Sequence, residues 1–181
     1  MTSFLNSIGY NGWVIPVLLG LPLLGAIVLW SRGALGGAGS DDQSSGARTI
    51  ALAFFVAEAI ISLGLWWSVD AGSSEWQGYL NYPWIPQWGV RFIVGLDGIA
   101  LMLVLLTTMI MPLAVLGSWT SIREKTSSYY ALLLVLTTGM LGVFVSLDLV
   151  LFYVMWEVML VPMYLIIGIW GGQRRLYASL K

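Results

Sequence analysis

The acidic residues that lie inside long apolar stretches are the groups most able to do chemistry in this chain. Glu157 stands in a stretch that runs from Asp148 to Trp170 and is long enough to cross a bilayer as a helix. At 1.5 Å per residue, Glu157 lies roughly 14 Å from Asp148, near the middle of a hydrocarbon core about 30 Å thick. A carboxylate at that depth is costly unless it is paired, hydrated or protonated. We therefore expect Glu157 to bind and release a proton.

The neighbours of Glu157 on its own helical face support this expectation. Tyr153 and Tyr164 lie at positions i−4 and i+7, so two phenols flank the acid and can hydrogen-bond it or hold a water. Pro162 has no N–H and frees the carbonyl of Val158, which favours a kink and a hydrated pocket. The alternative is a permanently protonated acid, or one held in a structural hydrogen bond to a neighbouring helix.

Two further acids are secondary candidates. Glu58 has apolar and small neighbours, which is typical of a close helix contact; it is either a functional group or a protonated acid in an interhelical hydrogen bond. Asp97, between glycines, suits a helix start, and Asp148 suits the same role. The pairs at 107–108 and 137–138 are threonines, which usually bond back to helix carbonyls and can also line a water path.

The elements that hold these residues must be membrane helices. The chain is 59% hydrophobic and 9% charged, whereas a soluble domain carries about 25% charged residues. It has no Cys and no His, so the usual ligands of haem, zinc, copper and iron–sulfur clusters are missing. We predict no cofactor and no metal site in this chain, and no basic run indicates nucleic acid.

We predict an all-α membrane bundle with five spans, because lipid leaves no partner for the backbone of open strands. The predicted spans are residues 12–30, 49–69, 92–119, 129–147 and 148–170, in a single transmembrane domain covering 1–181. The linker at 31–48 is rich in Gly and Ser and predicted to be flexible. The linker at 70–91 is rich in Trp and Tyr, with two prolines that argue against one continuous helix. It suits either the membrane interface or a contact with a partner protein.

The basic residues predict the orientation. Alternation of the spans puts seven of the eight on one side, the exception being Arg91. The positive-inside rule makes that side cytoplasmic, with the N-terminus outside and the C-terminus inside. The first eleven residues contain no Lys or Arg, so we interpret the first apolar block as a retained span and not as a signal peptide.

Two motifs resemble a known family. The segment 152–165, which contains Trp156, Glu157 and Pro162, and the segment 170–178 closely resemble the antiporter-like membrane subunit M (also called subunit 4) of respiratory complex I. The resemblance is specific over about 92–181. It implies a proton-translocating subunit of a NADH:quinone oxidoreductase, in which Glu157 transfers protons and pairs with a lysine on a later helix that this chain does not contain. The family has about fourteen spans, so the chain resembles roughly the first third of that fold.

The resemblance also implies the setting. NADH, FMN, iron–sulfur clusters and quinone are expected in partner subunits, with other membrane subunits, lipid, water and protons as partners. The expected location is the cell membrane, and the expected activity is that of a translocase subunit. One alternative is a subunit of a multisubunit Na+/H+ antiporter or membrane-bound hydrogenase. Another is a structural membrane subunit that transports nothing.

Overall fold

The computed structural model describes Leu5, Ser7 and residues 9–35, 41–69 and 75–172. Within them the helices and strands follow in one order, with a 3-10 turn at Pro86–Trp88 inside the hairpin. They are α1 Tyr10–Leu35, α2 Asp41–Leu63, the short α3 Leu65–Ser68, β1 Gln77–Ile85, β2 Val90–Leu96, α4 Gly98–Ser118, α5 Thr126–Val145 and α6 Leu149–Trp170.

Five of these segments are long and apolar enough to cross a membrane, and they cover 10–33, 45–68, 98–118, 126–145 and 149–170. The predicted number of spans and the mainly helical fold are confirmed. The predicted flexible linker at 31–48 is wrong in part, because 31–35 and 41–48 are helical. Extending an existing helix is easier than nucleating one, and tertiary contacts support these turns. Arg48, for example, donates a hydrogen bond to the Ile122 carbonyl at 2.8 Å.

The third span begins later than predicted, because residues 90–96 form a strand and not a helix. This strand pairs antiparallel with β1, with Leu80 opposite Val94 and Tyr82 opposite Phe92. Gly89 makes the turn with a φ of 68°, a left-handed conformation that glycine adopts without strain. The hairpin is the main departure from the predicted all-α fold, and its prolines do exclude a continuous helix, as expected.

The hairpin is anchored to the bundle at the turn between α5 and α6. The Leu147 N–H donates to the Ile93 carbonyl at 2.9 Å, and Ser146 forms an isolated bridge with Val94. The aromatic side chains of this region are exposed, and include Trp76, Tyr79, Tyr82, Trp84 and Trp88. An interfacial position and a partner contact both remain compatible with this exposure.

Helix α5 is central and α6 is peripheral. Of their apolar segments, 56% of α5 is buried and 11% of α6. The buried apolar residues form two separate clusters. The hairpin-end cluster includes Tyr10, Val14, Leu65, Val94, Leu101 and Leu141. The loop-end cluster lies toward the α4–α5 connection and includes Ala26, Ala51, Phe55, Met111, Tyr130 and Leu134.

A polar layer separates the two apolar clusters at half the height of the bundle. Six of the seven buried polar side chains among the described residues form it, namely Glu58, Ser62, Thr107, Thr108, Thr137 and Thr138. Glu58 and the four threonines lie near the middle of their membrane segments, and Ser62 lies one turn beyond Glu58 toward the hairpin end. Buried polar groups in a membrane bundle are costly and usually functional, so this layer is one of two places where chemistry is expected.

Candidate functional site: two acids at mid-membrane depth

Helix α6 begins at a well-made cap that fixes the depth of Glu157. The Asp148 carboxylate accepts hydrogen bonds from the Val150 N–H at 2.9 Å and from the Leu151 N–H at 3.1 Å. These bonds satisfy donors that have no partner inside the helix, and they confirm the predicted capping role. Glu157 follows nine residues later in an unbroken helix, so it lies roughly 14 Å from the cap.

Glu157 points away from the bundle. It is exposed, and so are Trp156 and Tyr164. Tyr153, one turn earlier, is also exposed, and its hydroxyl lies beside the Glu157 carboxylate. The predicted hydrogen bond between the two stays a prediction, and Tyr164 shares the outward exposure. In the described residues this face of α6 borders no other helix.

The packing of α6 against α5 determines which face turns outward. A Cβ placed on Gly139 would lie 2.8 Å from the Met159 backbone nitrogen, and one on Gly142 would lie 2.6 Å from the Met155 Sδ. The two glycines therefore let the helices approach closely. Pro162 is buried on this inner side, five residues from Glu157. The predicted hydrated pocket that joins Pro162 to the acid stays a prediction.

Glu58 has the opposite environment. It is 1% exposed, and neither carboxyl oxygen has a hydrogen-bond partner among the described residues. The interhelical hydrogen bond that sequence reasoning allowed for Glu58 is therefore not made. One turn along α2, the Ser62 hydroxyl lies 2.7 Å from the Thr108 hydroxyl of α4. Sequence reasoning missed this pair, although the i+4 spacing of Ser62 from the acid could have indicated it.

The remaining candidates have local roles. Asp97 caps α4 by accepting from the Ala100 N–H at 2.7 Å, which confirms the predicted cap and places it at the end of the bundle. The threonine hydroxyls at 108, 137 and 138 donate to helix carbonyls, as predicted. Among the described residues, no group of three or more His, Cys, Asp or Glu is arranged to hold a metal ion.

The comparisons with known proteins match both the sequence of α6 and the fold. A family model described as "NADH:quinone oxidoreductase/Mrp antiporter, TM" matches residues 146–181, which include Glu157. NAD(P)H-quinone oxidoreductase chain 4 1 of Picosynechococcus is 42% identical over 123 residues, covering 68% of this chain and 23% of that protein. F(420)H(2) dehydrogenase subunit M of Methanosarcina mazei is 36% identical over 138 residues, which cover 74% of this chain and 28% of that protein.

Solved structures agree on the fold. A chain of respiratory complex I from Thermus thermophilus superposes with a TM-score of 0.71 at 24% identity, over 92% of this chain and 31% of that one. A chain of the Mrp complex from Dietzia superposes with a TM-score of 0.70 at 17% identity, over 92% of this chain and 17% of that one. At these identities the likeness concerns the fold alone.

Together, the helical fold and the matched segment define an antiporter-like membrane subunit, and the chain is a multi-pass membrane protein. Within that class, the curated relatives confirm the predicted resemblance to subunit M, also called chain 4, of complex I-type oxidoreductases. The chain spans about a quarter of the length of the curated relatives it matches.

Proposed function

We propose that this chain forms part of a proton-translocating membrane-arm subunit of a quinone oxidoreductase, and that Glu157 carries the proton. One observation carries the proposal: a carboxyl group lies at half the depth of a membrane helix, on a face that no described helix covers. The segment that bears it is the segment matched by the family model.

The outward face of α6 requires a partner. An ionised carboxylate facing lipid is costly at this depth, and the surrounding side chains on that face are large and apolar or aromatic. Membrane helices from outside the described residues would cover this face and supply the cation or the water that Glu157 needs. The described Lys and Arg residues cannot do so, because they lie near the ends of the membrane segments, in the hairpin or in the α4–α5 connection. Other membrane subunits of the complex are the proposed partners.

The proposed mechanism is electrostatic. A cation close to Glu157 stabilises the carboxylate, and its withdrawal stabilises the protonated acid. The Tyr153 hydroxyl lies beside the carboxylate; a hydrogen bond from it would orient the charged form and could pass a proton to a neighbouring water. Charge movement in the surrounding subunits would then make Glu157 take up and release a proton in turn. Oxidation of NADH and reduction of quinone, through FMN and iron–sulfur clusters, would occur in partner subunits.

A second candidate is a subunit of a multisubunit Na+/H+ antiporter, which the fold likeness to a chain of the Mrp complex favours. The electron donor is also open, since one relative is a subunit of an F(420)H(2) dehydrogenase. A purely structural subunit would keep the same fold without proton transfer at Glu157. Replacing Glu157 separates the structural subunit from the two transporting ones, and dependence on sodium separates the antiporter from the oxidoreductase.

The test is Glu157→Gln in the native complex, sealed into vesicles. Glutamine keeps the shape and polarity of the side chain but cannot release a proton. We expect normal assembly and a strongly reduced number of protons moved per electron. Glu124→Gln, on an exposed acid of the α4–α5 connection, is the matched control and should leave that ratio unchanged. An unchanged ratio in Glu157→Gln would refute the proton-carrier role, and activity that depends on a sodium gradient would favour the antiporter.

A further inference from the structure

A second acid is buried in the polar layer, on the other side of α5 from Glu157. We propose that this layer is a separate, hydrated protonation site in which Glu58 holds an exchangeable proton and the Ser62–Thr108 hydroxyl pair holds water. The inference stands on the interior of the bundle and does not depend on the role of Glu157.

The surroundings of Glu58 favour the neutral acid. The helices that pack against α2 are α1, α4 and α5. Over their described lengths α4 and α5 carry no charged residue, and α1 carries only Arg32, in its last turn. On α2 itself the nearest cation is Arg48, ten residues or roughly 15 Å away. The Tyr10 hydroxyl is the closest titratable neighbour toward the hairpin end, where it donates to the Ile61 carbonyl. An ionised Glu58 would have no compensating charge.

A neutral Glu58 still needs hydrogen-bond partners. A protonated carboxyl has one O–H donor and further acceptor capacity, and leaving a buried polar group unsatisfied costs about 1–3 kcal/mol. Both oxygens lack a protein partner among the described residues. Buried water is the usual solution where several polar groups surround a buried site.

The polar layer supplies the groups that such water would bind. The Ser62 and Thr108 hydroxyls pair across the α2–α4 interface at 2.7 Å and retain free lone pairs. Pro112 lies inside α4 and has no N–H, so the carbonyl of Thr108 loses its helical partner four residues on. A carboxyl, two hydroxyls and a spare carbonyl therefore meet at one level of the bundle.

The polar groups beyond the layer indicate where water reaches it. Toward the loop end, α2 presents Ala51 and Phe55 to an apolar cluster. Toward the hairpin end, the Tyr10 hydroxyl contacts the α2 backbone, and the Ser68 hydroxyl is buried without a partner in the described residues. Apolar clusters lie at both ends of the layer, so the two additional hydroxyls make the hairpin end the side from which we infer that water and protons exchange.

The test is infrared difference spectroscopy of the native complex, wild type minus Glu58→Gln, recorded in H2O and in D2O at neutral pH. We expect a wild-type band of a protonated carboxyl that shifts promptly to lower frequency in D2O. Absence of that band would overturn the proposal, because Glu58 would then be ionised. A band that does not shift after long exposure to D2O would also overturn it, because the acid would then be dry.

Further variants keep the result interpretable. Spectra of Glu157→Gln, recorded in parallel, identify any carboxyl band that belongs to Glu157 and not to Glu58. Proton pumping is not measured in this experiment. If Glu58→Gln does not assemble, Glu58→Asp retains the carboxyl and should move the band without removing it. Thr108→Val removes one hydroxyl of the pair and should change the band frequency. Ser118→Ala is the matched control, because it breaks an interhelical hydroxyl contact with Tyr130 at 3.0 Å outside the polar layer, and should leave the band in place.

Discussion

The close approach of α5 and α6 at Gly139 provides a prediction about what positions Glu157. Gly139→Ala would place a Cβ 2.8 Å from the Met159 nitrogen and 3.0 Å from its Cα. Both atoms belong to the backbone of α6, so no rotation of a side chain can relieve the clash. The helix must move as a unit, and the outward-facing acid two residues away must move with it.

The magnitude follows from two opposing effects. Overpacking a close contact costs about 1–3 kcal/mol, and a backbone clash belongs at the upper end of that range. Alanine in place of glycine inside a helix returns up to about 1 kcal/mol. We therefore expect Gly139→Ala to destabilise the packing of α6 by about 2 kcal/mol. The displaced Glu157 should also transfer fewer protons per electron, although residue 139 never touches it.

Two matched variants separate the backbone clash from a general effect of alanine. Gly142→Ala meets the Met155 Sδ at 2.6 Å and the Met155 Cβ at 3.1 Å. The flexible end of the methionine side chain can move, and the Cβ contact is milder than a backbone clash, so we expect a smaller loss than for Gly139→Ala. Gly20→Ala, in α1, has no atom within 4 Å of the added Cβ and should be neutral or slightly stabilising. The assay is thermal dissociation of the subunit from the solubilised complex, together with the ratio of protons to electrons. Equal stability of Gly139→Ala and Gly142→Ala would refute the reasoning.

Two smaller predictions concern the same helix. Asp148→Ala removes both hydrogen bonds of the α6 cap and should lower the stability of the subunit in thermal dissociation by about 1 kcal/mol. Asp148→Asn should retain most of that stability, because an amide oxygen can also accept these bonds. Equal losses in the two variants would contradict the capping role. Tyr153→Phe removes the hydroxyl beside Glu157 and should slow proton translocation in vesicles more than Tyr164→Phe does. Equal rates in the two variants would contradict a role for that hydroxyl.

The sequence predicted the features that depend on length and local chemistry. Five apolar stretches correctly predicted five spans, because each is longer than the bilayer requires. Asp97 and Asp148 were correctly interpreted as caps, because a carboxylate before an apolar run satisfies the free N–H groups at a helix start. Boundaries were less reliable where two elements are equally apolar. The strand at 90–96 precedes α4 with only Asp97 between them. From composition alone, the strand and the helix were predicted as one span.

The sequence could not predict which face of each helix is buried. Helices in a membrane are apolar on all sides, so periodicity carries little information about the packing partner. Sequence reasoning therefore ranked Glu157 as the acid with a pocket and Glu58 as secondary. In the structure Glu58 is enclosed at 1% exposure, while Glu157 lies on the outer face of a peripheral helix. The two glycines of α5 determine this outcome, and their role is visible only when both helices are in place.

The two acids lie at the same depth but on different sides of α5. The threonines at 137 and 138 lie nine and eight residues before Ser146, the C-cap of α5, and Glu157 lies nine residues after the cap of α6. All three are therefore roughly 12–14 Å from the connecting turn. For Glu58, hydroxyl groups at that level come from helices of this chain. For Glu157 the described residues supply one, from Tyr153, and the rest of its environment would come from whatever covers α6. The proposed site at Glu58 therefore needs only water besides the groups of this bundle, whereas Glu157 needs both hydration and a countercharge from outside the described residues. That dependence is what the proposed control by neighbouring subunits requires.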